Sequence, residues 1–287
     1  MADRSVTIDT PAKINLFLKI LGMRSDGYHD IFSLVQTVDL YDTLTISEID
    51  SGTALIGDTA NVPLDSSNII WKAVELLRRQ TSFAHGIQIN LTKRIPVGAG
   101  LGGGSSDAAA TLKGVNQLLD LNLSRQQLQQ MGATLGSDVP FFFSTGSAII
   151  SGRGEIVEEV KIASDYVVLL VVPDFAISTA EAYAKVRISL TNSPMRPTFI
   201  RKRLSAELLP LLDQVGNDFE TLVTDGQPAV ASCMQLLREA GARVVALSGS
   251  GSAFFGLFDR VPDPSLATMI SERFGWQVFS LCPVKLV

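Results

Sequence analysis

Between Pro96 and Ser106 the chain reads PVGAGLGGGSS, with five glycines from Gly98 to Gly104, and no regular element can hold such a stretch. The chain beyond it is helical in pattern. From Ser105 onward Ala108, Leu112, Val115 and Leu119 fall at i, i+4, i+7 and i+11, one face of a helix that leaves the glycine run directly. A helix start presents unpaired N–H groups and the positive end of its dipole, and glycines let the backbone approach a ligand closely. Gly98–Ser106 therefore predicts a phosphate cradle, with Ser105 and Ser106 as hydroxyl donors or, for one of them, a magnesium ligand. The bland alternative is a glycine linker or an ordinary helix start.

Two other phosphate sites share some of this spelling. Gly98, Gly100 and Gly103 match G-x-G-x-x-G, with Asp120 some way downstream, but Asp120 closes the predicted helix instead of ending a following strand. The residue before Ser105 is Gly104, not the lysine of a Walker A loop, so the positive charge must come from elsewhere.

Lys13 is the candidate for that charge. It stands in PAKIN with Asn15 two positions on, so on a strand both side chains address one cleft; the alternative is a solvent-facing lysine beside a turn asparagine. Asp138, in GSDVP, is the candidate carboxylate to orient an alcohol and take its proton, against the reading that it caps a short helix. Asp107 is expected mainly to cap the helix start. Tyr28 and His29 offer a flat ring and directional nitrogens, or else a turn aromatic and a surface residue.

Composition closes off other classes. Lys and Arg number 24 against 29 Asp and Glu, a net charge of -5 that gives no general attraction to nucleic acid. No apolar run approaches a membrane span and no secretory segment opens the chain, which predicts a cytoplasmic protein without membrane or nucleic-acid partners. Cys233 and Cys282 read as inert thiols, and His29 and His85 are too few for a histidine zinc site.

The pattern predicts strands at Thr7–Ile14, Asn15–Ile20, Ile31–Leu40, Leu44–Ile49, Gly86–Leu91, Val167–Val172, Val244–Leu247, Ala253–Phe258 and Trp276–Cys282. Helices are expected from the Asp65–Asn68 caps to Arg79, after Ser105, after Ser124 and after Ser178. More are expected at Ser205–Leu212, Asn217–Val223, Ala229–Ala240 and from Asp263 to Phe274, with a turn at Asn192–Pro197. Glycine and charge between Gly152 and Ser164 suggest a boundary. The class is α+β with two lobes, expected as residues 1–158 and 159–287.

The motifs PAKINLFLKI, RSDGYHD, PVGAGLGGGSSDAAATL, GSDVPFF and SGSGSAFFGLF, in that order, resemble the GHMP kinases, and within them the branch whose acceptor is a cytidylyl polyol. The resemblance implies an N-terminal lobe like ribosomal protein S5 domain 2, a ferredoxin-like C-terminal lobe and an active site between them. It implies ATP and Mg2+ as cofactors, Lys13 and Asp138 as catalytic residues, and Asn15, Tyr28, His29, Gly249 and Gly251 as acceptor-binding residues. It assigns Pro96, Gly98, Ala99, Gly100, Leu101, Gly102, Gly103, Gly104, Ser105 and Ser106 to the phosphates and Asn68 to the adenine side. No metal-binding carboxylate stands out, and monomer or weak homodimer remain open. The alternatives are a homoserine- or mevalonate-type kinase, a nonenzymatic nucleotide-binding protein, and a dehydrogenase.

Overall fold

A computed structural model describes residues 4–58, 62–186 and 208–286. The expected opening strands merge into two long ones, β1 (Ser5–Met23) and β2 (His29–Ile49), paired antiparallel across the turn at Ser25–Gly27. Register shifts at Pro11/Ala12, Asn15/Phe17 and Ile20/Gly22 bend β1 without ending it. Residues 10–18 of β1 are buried on both faces, because the strand lies between two cores, so an alternating pattern is absent there.

Around this pair the first sheet adds β3 (Thr53–Gly57), β4 (Gly86–Thr92), β5 (Ser147–Gly152) and β6 (Ile156–Glu159), in the order β3-β4-β2-β5-β6 with β1 on β2. Only β3 and β4 run parallel. The sequence pattern does not announce β3, and β6 forms inside the stretch that reads as a boundary, because its edge position needs little apolar pattern.

Helices α1 (Ile69–Thr81), α2 (Gly103–Leu118) and α3 (Arg125–Leu135) pack with this sheet through Ile70, Val74, Leu112, Val115 and Leu128, facing Leu44, Ile46 and Ile89. Asn68 caps α1, and Ser124 with Gln127 forms the expected capping box on α3.

The second sheet has β7 (Val167–Val172), β8 (Val244–Leu247), β9 (Phe254–Phe258) and β10 (Gln277–Leu281), all antiparallel in the order β10-β7-β9-β8. Helices α4 (Thr179–Lys185), α5 (Leu208–Val215), α6 (Glu220–Gly226) and α7 (Pro228–Glu239) precede β8, and α8 (Pro264–Phe274) lies between β9 and β10. Strand, helices, two strands, helix, strand in this order is the ferredoxin-like arrangement expected.

The expected turn at Asn192–Pro197 and the start of the helix from Ser205 lie outside the described residues. α6 begins three residues later than expected because the Asn217 side chain is used elsewhere: it accepts from Phe219 N and donates to the carbonyls of Leu247 and Gly249, each at 2.8 Å.

One core joins the lobes. Ile14, Leu16 and Phe17 of β1 pack with Val168, Leu170, Leu211 and Phe255, so burial of their apolar surface binds the two sheets together. The C-terminal segment returns to the first lobe, where Val284 N–H donates to Thr37 O at 3.0 Å and Leu286 N–H to Thr145 O at 3.1 Å. Among the described residues no helix is long and apolar enough to cross a membrane.

Candidate active site

The irregular middle of β1 carries Lys13 and Asn15. Lys13 is 5% exposed; its ammonium donates to Asn15 Oδ1 at 2.6 Å, and Asn15 Nδ2 donates to Ser33 Oγ at 2.8 Å. The shared cleft expected from their spacing exists, and the solvent-facing alternative for Lys13 does not. Asp138 precedes a short 3-10 turn, Val139–Phe143, but its side chain makes no capping hydrogen bond. Its Oδ2 instead stands 3.5 Å from Lys13 Nζ.

Lys13, Asn15 and Asp138 line a cavity of about 770 Å3, whose wall also includes Gly100, Gly102, Tyr28, His29 and Tyr183. The rings of His29 and Tyr183 stack at 5.0 Å, and Phe219 buttresses Tyr183 edge-on at 4.8 Å. Burial, and after it the charge of Asp138, pushes the Tyr183 hydroxyl well above its ordinary titration range, so it stays a neutral donor. Tyr183 has no motif around it in the sequence; only its place on α4 brings it to His29.

A second cavity of about 390 Å3 lies against the glycine loop, lined by residues 96–105 with Asn68 and Lys93. Gly100 and Gly102 border both cavities, so the loop is their common wall. Gly102 stands at the N-cap of α2 with φ 70°, and a Cβ there would lie 2.8 Å from Lys13 Cγ. Glycine is thus required twice, for the left-handed backbone and for contact with the lysine. The helix starts at Gly103, two residues ahead of expectation, so Ser105 borders the cavity from inside the first turn. Ser106 is buried behind that wall and its N–H donates to Gly102 O at 2.9 Å. The Asn68 side chain is engaged in capping: Oδ1 accepts from Ile70 N at 2.8 Å and Nδ2 donates to Pro63 O at 2.6 Å.

The late loop clasps the glycine loop. Ser248 Oγ donates to Gly100 O at 3.0 Å and accepts from Asn15 N–H at 3.3 Å, while Ala253 N–H donates to Ala99 O at 3.1 Å. Gly249 lines the larger cavity; Gly251 is turned toward Ile177 and Leu247 behind it.

Asp107 corrects an expectation, for it does not cap α2. Its buried carboxylate accepts from Thr10 Oγ1 at 2.7 Å and pairs with Lys93 Nζ at 2.9 Å, and Lys93 also pairs with the buried Asp42. Burial, opposed by the charge of Lys93, pushes the Asp107 carboxyl up to about 6. Asp42 accepts the N–H groups of Arg94 and Ile95 at 2.6 and 2.8 Å, which holds the strand end leading into the glycine loop. Sequence reasoning missed Lys93 and Asp42, whose partners are distant in the chain.

The profile of the GHMP kinases N terminal domain matches residues 68–146, and that of the GHMP kinases C terminal domain matches residues 200–274. The chain belongs to the GHMP kinase family. This GHMP kinase is 41% identical over 279 residues to a 4-diphosphocytidyl-2-C-methyl-D-erythritol kinase of Desulfotalea psychrophila, covering 94% of this chain and 93% of the relative. It is 39% identical to the protein of that name from Thermodesulfovibrio yellowstonii, covering 93% and 94%.

Among solved structures, a 4-(cytidine 5'-diphospho)-2C-methyl-D-erythritol kinase matches with TM-score 0.78 and 28% identity over 97% of this chain and 99% of the other. Homoserine kinase from Cytophaga hutchinsonii matches with TM-score 0.73 and 17% identity over 99% and 96%, a likeness of fold. The protein has the two-lobed α+β fold of GHMP kinases, with an N-terminal and a C-terminal lobe.

Proposed function

We propose that this GHMP kinase transfers the γ-phosphoryl group of ATP to the 2-hydroxyl of 4-diphosphocytidyl-2-C-methyl-D-erythritol, giving the 2-phosphate and ADP in the non-mevalonate route to isoprenoid precursors. One observation carries the mechanism: Lys13 and Asp138 face each other at 3.5 Å in a cavity that shares Gly100 and Gly102 with the cavity of the phosphate loop. The relatives' substrate carries the choice of acceptor.

In this reading the N–H groups of the glycine loop and the first turn of α2 hold the nucleotide phosphates. Asp138 orients the acceptor hydroxyl and takes its proton as the bond to phosphorus forms. Lys13, fixed by Asn15, offsets the negative charge spreading over the transferring group. Tyr28, His29 and Tyr183 form the aromatic wall that suits a cytosine ring, with Gly249 closing the acceptor side.

Mg2+, when bound, neutralises phosphate oxygens. The chain suits a cation that draws most ligands from phosphate and water: the described residues contain no cluster of three acidic, histidine or cysteine side chains, and Ser105 is the loop hydroxyl available to it. The division of labour is an ATP-binding unit over residues 1–158 and an acceptor-closing unit over 159–287. ATP and a charged cytidylyl polyol are cytoplasmic metabolites, so the enzyme acts there.

A homoserine or mevalonate acceptor has no base to occupy the aromatic wall. Purified protein offered ATP with the cytidylyl acceptor, homoserine or mevalonate in parallel, with products identified by mass spectrometry, tests the reading. Phosphorylation of homoserine or mevalonate in preference to the cytidylyl compound would overturn it.

A further inference from the structure

The acceptor proposed above carries two phosphates between its base and its reacting hydroxyl. A cavity that admits it must supply positive charge beyond Lys13, whose ammonium is already engaged by Asn15 and Asp138. Among the described residues lining that cavity, the remaining permanent cation is Arg153.

Arg153 sits on the turn between β5 and β6, where Gly152 and Gly154 adopt φ of 68° and 121°. A Cβ on Gly154 would lie 3.3 Å from Ser137 Cβ and 3.5 Å from Asp138 Oδ1, so this turn rests on the segment that carries the candidate base. From there the Arg153 guanidinium reaches over the Tyr28 ring, 4.9 Å from its centroid. The turn and the side chain it carries therefore extend from the segment of the candidate base to an aromatic ring assigned to the cytosine.

Its hydrogen-bonding capacity is largely unspent. Glu155 Oε2 accepts the backbone N–H of Arg153 at 2.6 Å, but Glu155 Oε1 stays 3.9 Å from the guanidinium Nε, beyond hydrogen-bond length. Asp26, a further carboxylate within its field, is paired with Arg24 at 3.1 Å. Among the described residues no protein acceptor hydrogen-bonds the two Nη groups of Arg153, which leaves a planar fork matched to phosphate oxygens.

We propose that Arg153 recognises the diphosphate of the acceptor, donating to its phosphate oxygens while its plane braces Tyr28. This rests on the cytidylyl reading and makes Arg153 a specificity-determining residue: an acceptor without a diphosphate gains nothing from it.

The test compares CDP with cytidine as inhibitors competing with the acceptor, on wild type, Arg153→Gln and Arg153→Lys, with melting temperatures matched. Losing a charge-assisted pair, Arg153→Gln should weaken CDP by about ten- to a hundredfold, weaken cytidine far less through the lost brace on Tyr28, and leave the KM for ATP unchanged. Arg153→Lys should recover part of the loss, since it keeps the charge without the fork. Equal weakening of CDP and cytidine would overturn the proposal, assigning Arg153 only to Tyr28, as would unaltered CDP binding in a variant of an enzyme that phosphorylates the cytidylyl acceptor. Wild-type protein that neither binds CDP nor phosphorylates that acceptor would remove the acceptor reading itself, and the Arg153 assignment with it.

Discussion

Replacing Lys13 by methionine keeps the length of the side chain and removes its charge, so it isolates what the ammonium does. The charge stands 3.5 Å from Asp138 Oδ2, and at the effective dielectric of about 20 that suits protein sites two unit charges at such a distance interact by about 5 kcal/mol. Asp138 is 36% exposed, so solvent screens part of that figure. Similar stabilisation of charge in the transition state, trimmed to about 4 kcal/mol, corresponds to about a thousandfold in rate. The substitution also strips Asn15 Oδ1 of its donor, a cost of about 1–2 kcal/mol in stability, which a protein of ordinary stability survives.

Single-turnover phosphoryl transfer at saturating ATP and acceptor, with nucleotide affinity titrated separately, reads the effect. The expected result is a collapsed chemical step with ATP affinity near wild type. Asp138→Asn should behave likewise, and Lys13→Met with Asp138→Asn should lose far less than the product of the two, because the groups act on one proton and one developing charge. A chemical step within about tenfold of wild type, with ATP affinity reduced instead, would refute the reasoning and leave Lys13 as a ground-state contact.

Two further substitutions probe the supports of the site. At Gly100, with φ 81°, a Cβ would lie 2.3 Å from the carbonyl oxygen of Ser248, so Gly100→Ala should cost more than about 3 kcal/mol, whereas Gly104→Ala, with its nearest atom at 3.8 Å on an ordinary helical residue, should be neutral or slightly stabilising. Thermal unfolding of the pair checks this, and equal melting temperatures would refute it. For Asp107, burial holds the proton in the folded protein up to about 6, above the unfolded carboxyl near about 4, so its contribution to stability is present below about pH 4 and lost as pH rises through about 6. Asp107→Asn does not titrate there, and the stability of wild type relative to this variant should fall by up to about 3 kcal/mol from pH 4 to pH 7; a difference independent of pH would refute the assignment.

Much of the candidate site was legible because its signals are short in range. The glycine run, the helix it feeds and the caps Asn68, Ser124, Ser178 and Asp263 each depend on contacts within a few residues. The same rules misplaced Asp107, since a carboxylate near a helix start is ordinarily a cap and nothing local announces a lysine from a strand end. β3 and β6 escaped notice because short strands beside a strong neighbour need little pattern of their own.

From its own order of residues the chain determined an α+β protein, a glycine loop ahead of a helix, and a lysine and asparagine sharing one side of a strand. Tertiary structure decided which distant groups meet: Asp138 with Lys13, Thr10 with Asp107 across 97 positions, and Ser248 with Asn15 across 233. Local backbone preference acts over a turn or two of chain, whereas such meetings depend on how two buried sheets pack around β1, and on the need of each buried polar group for a partner.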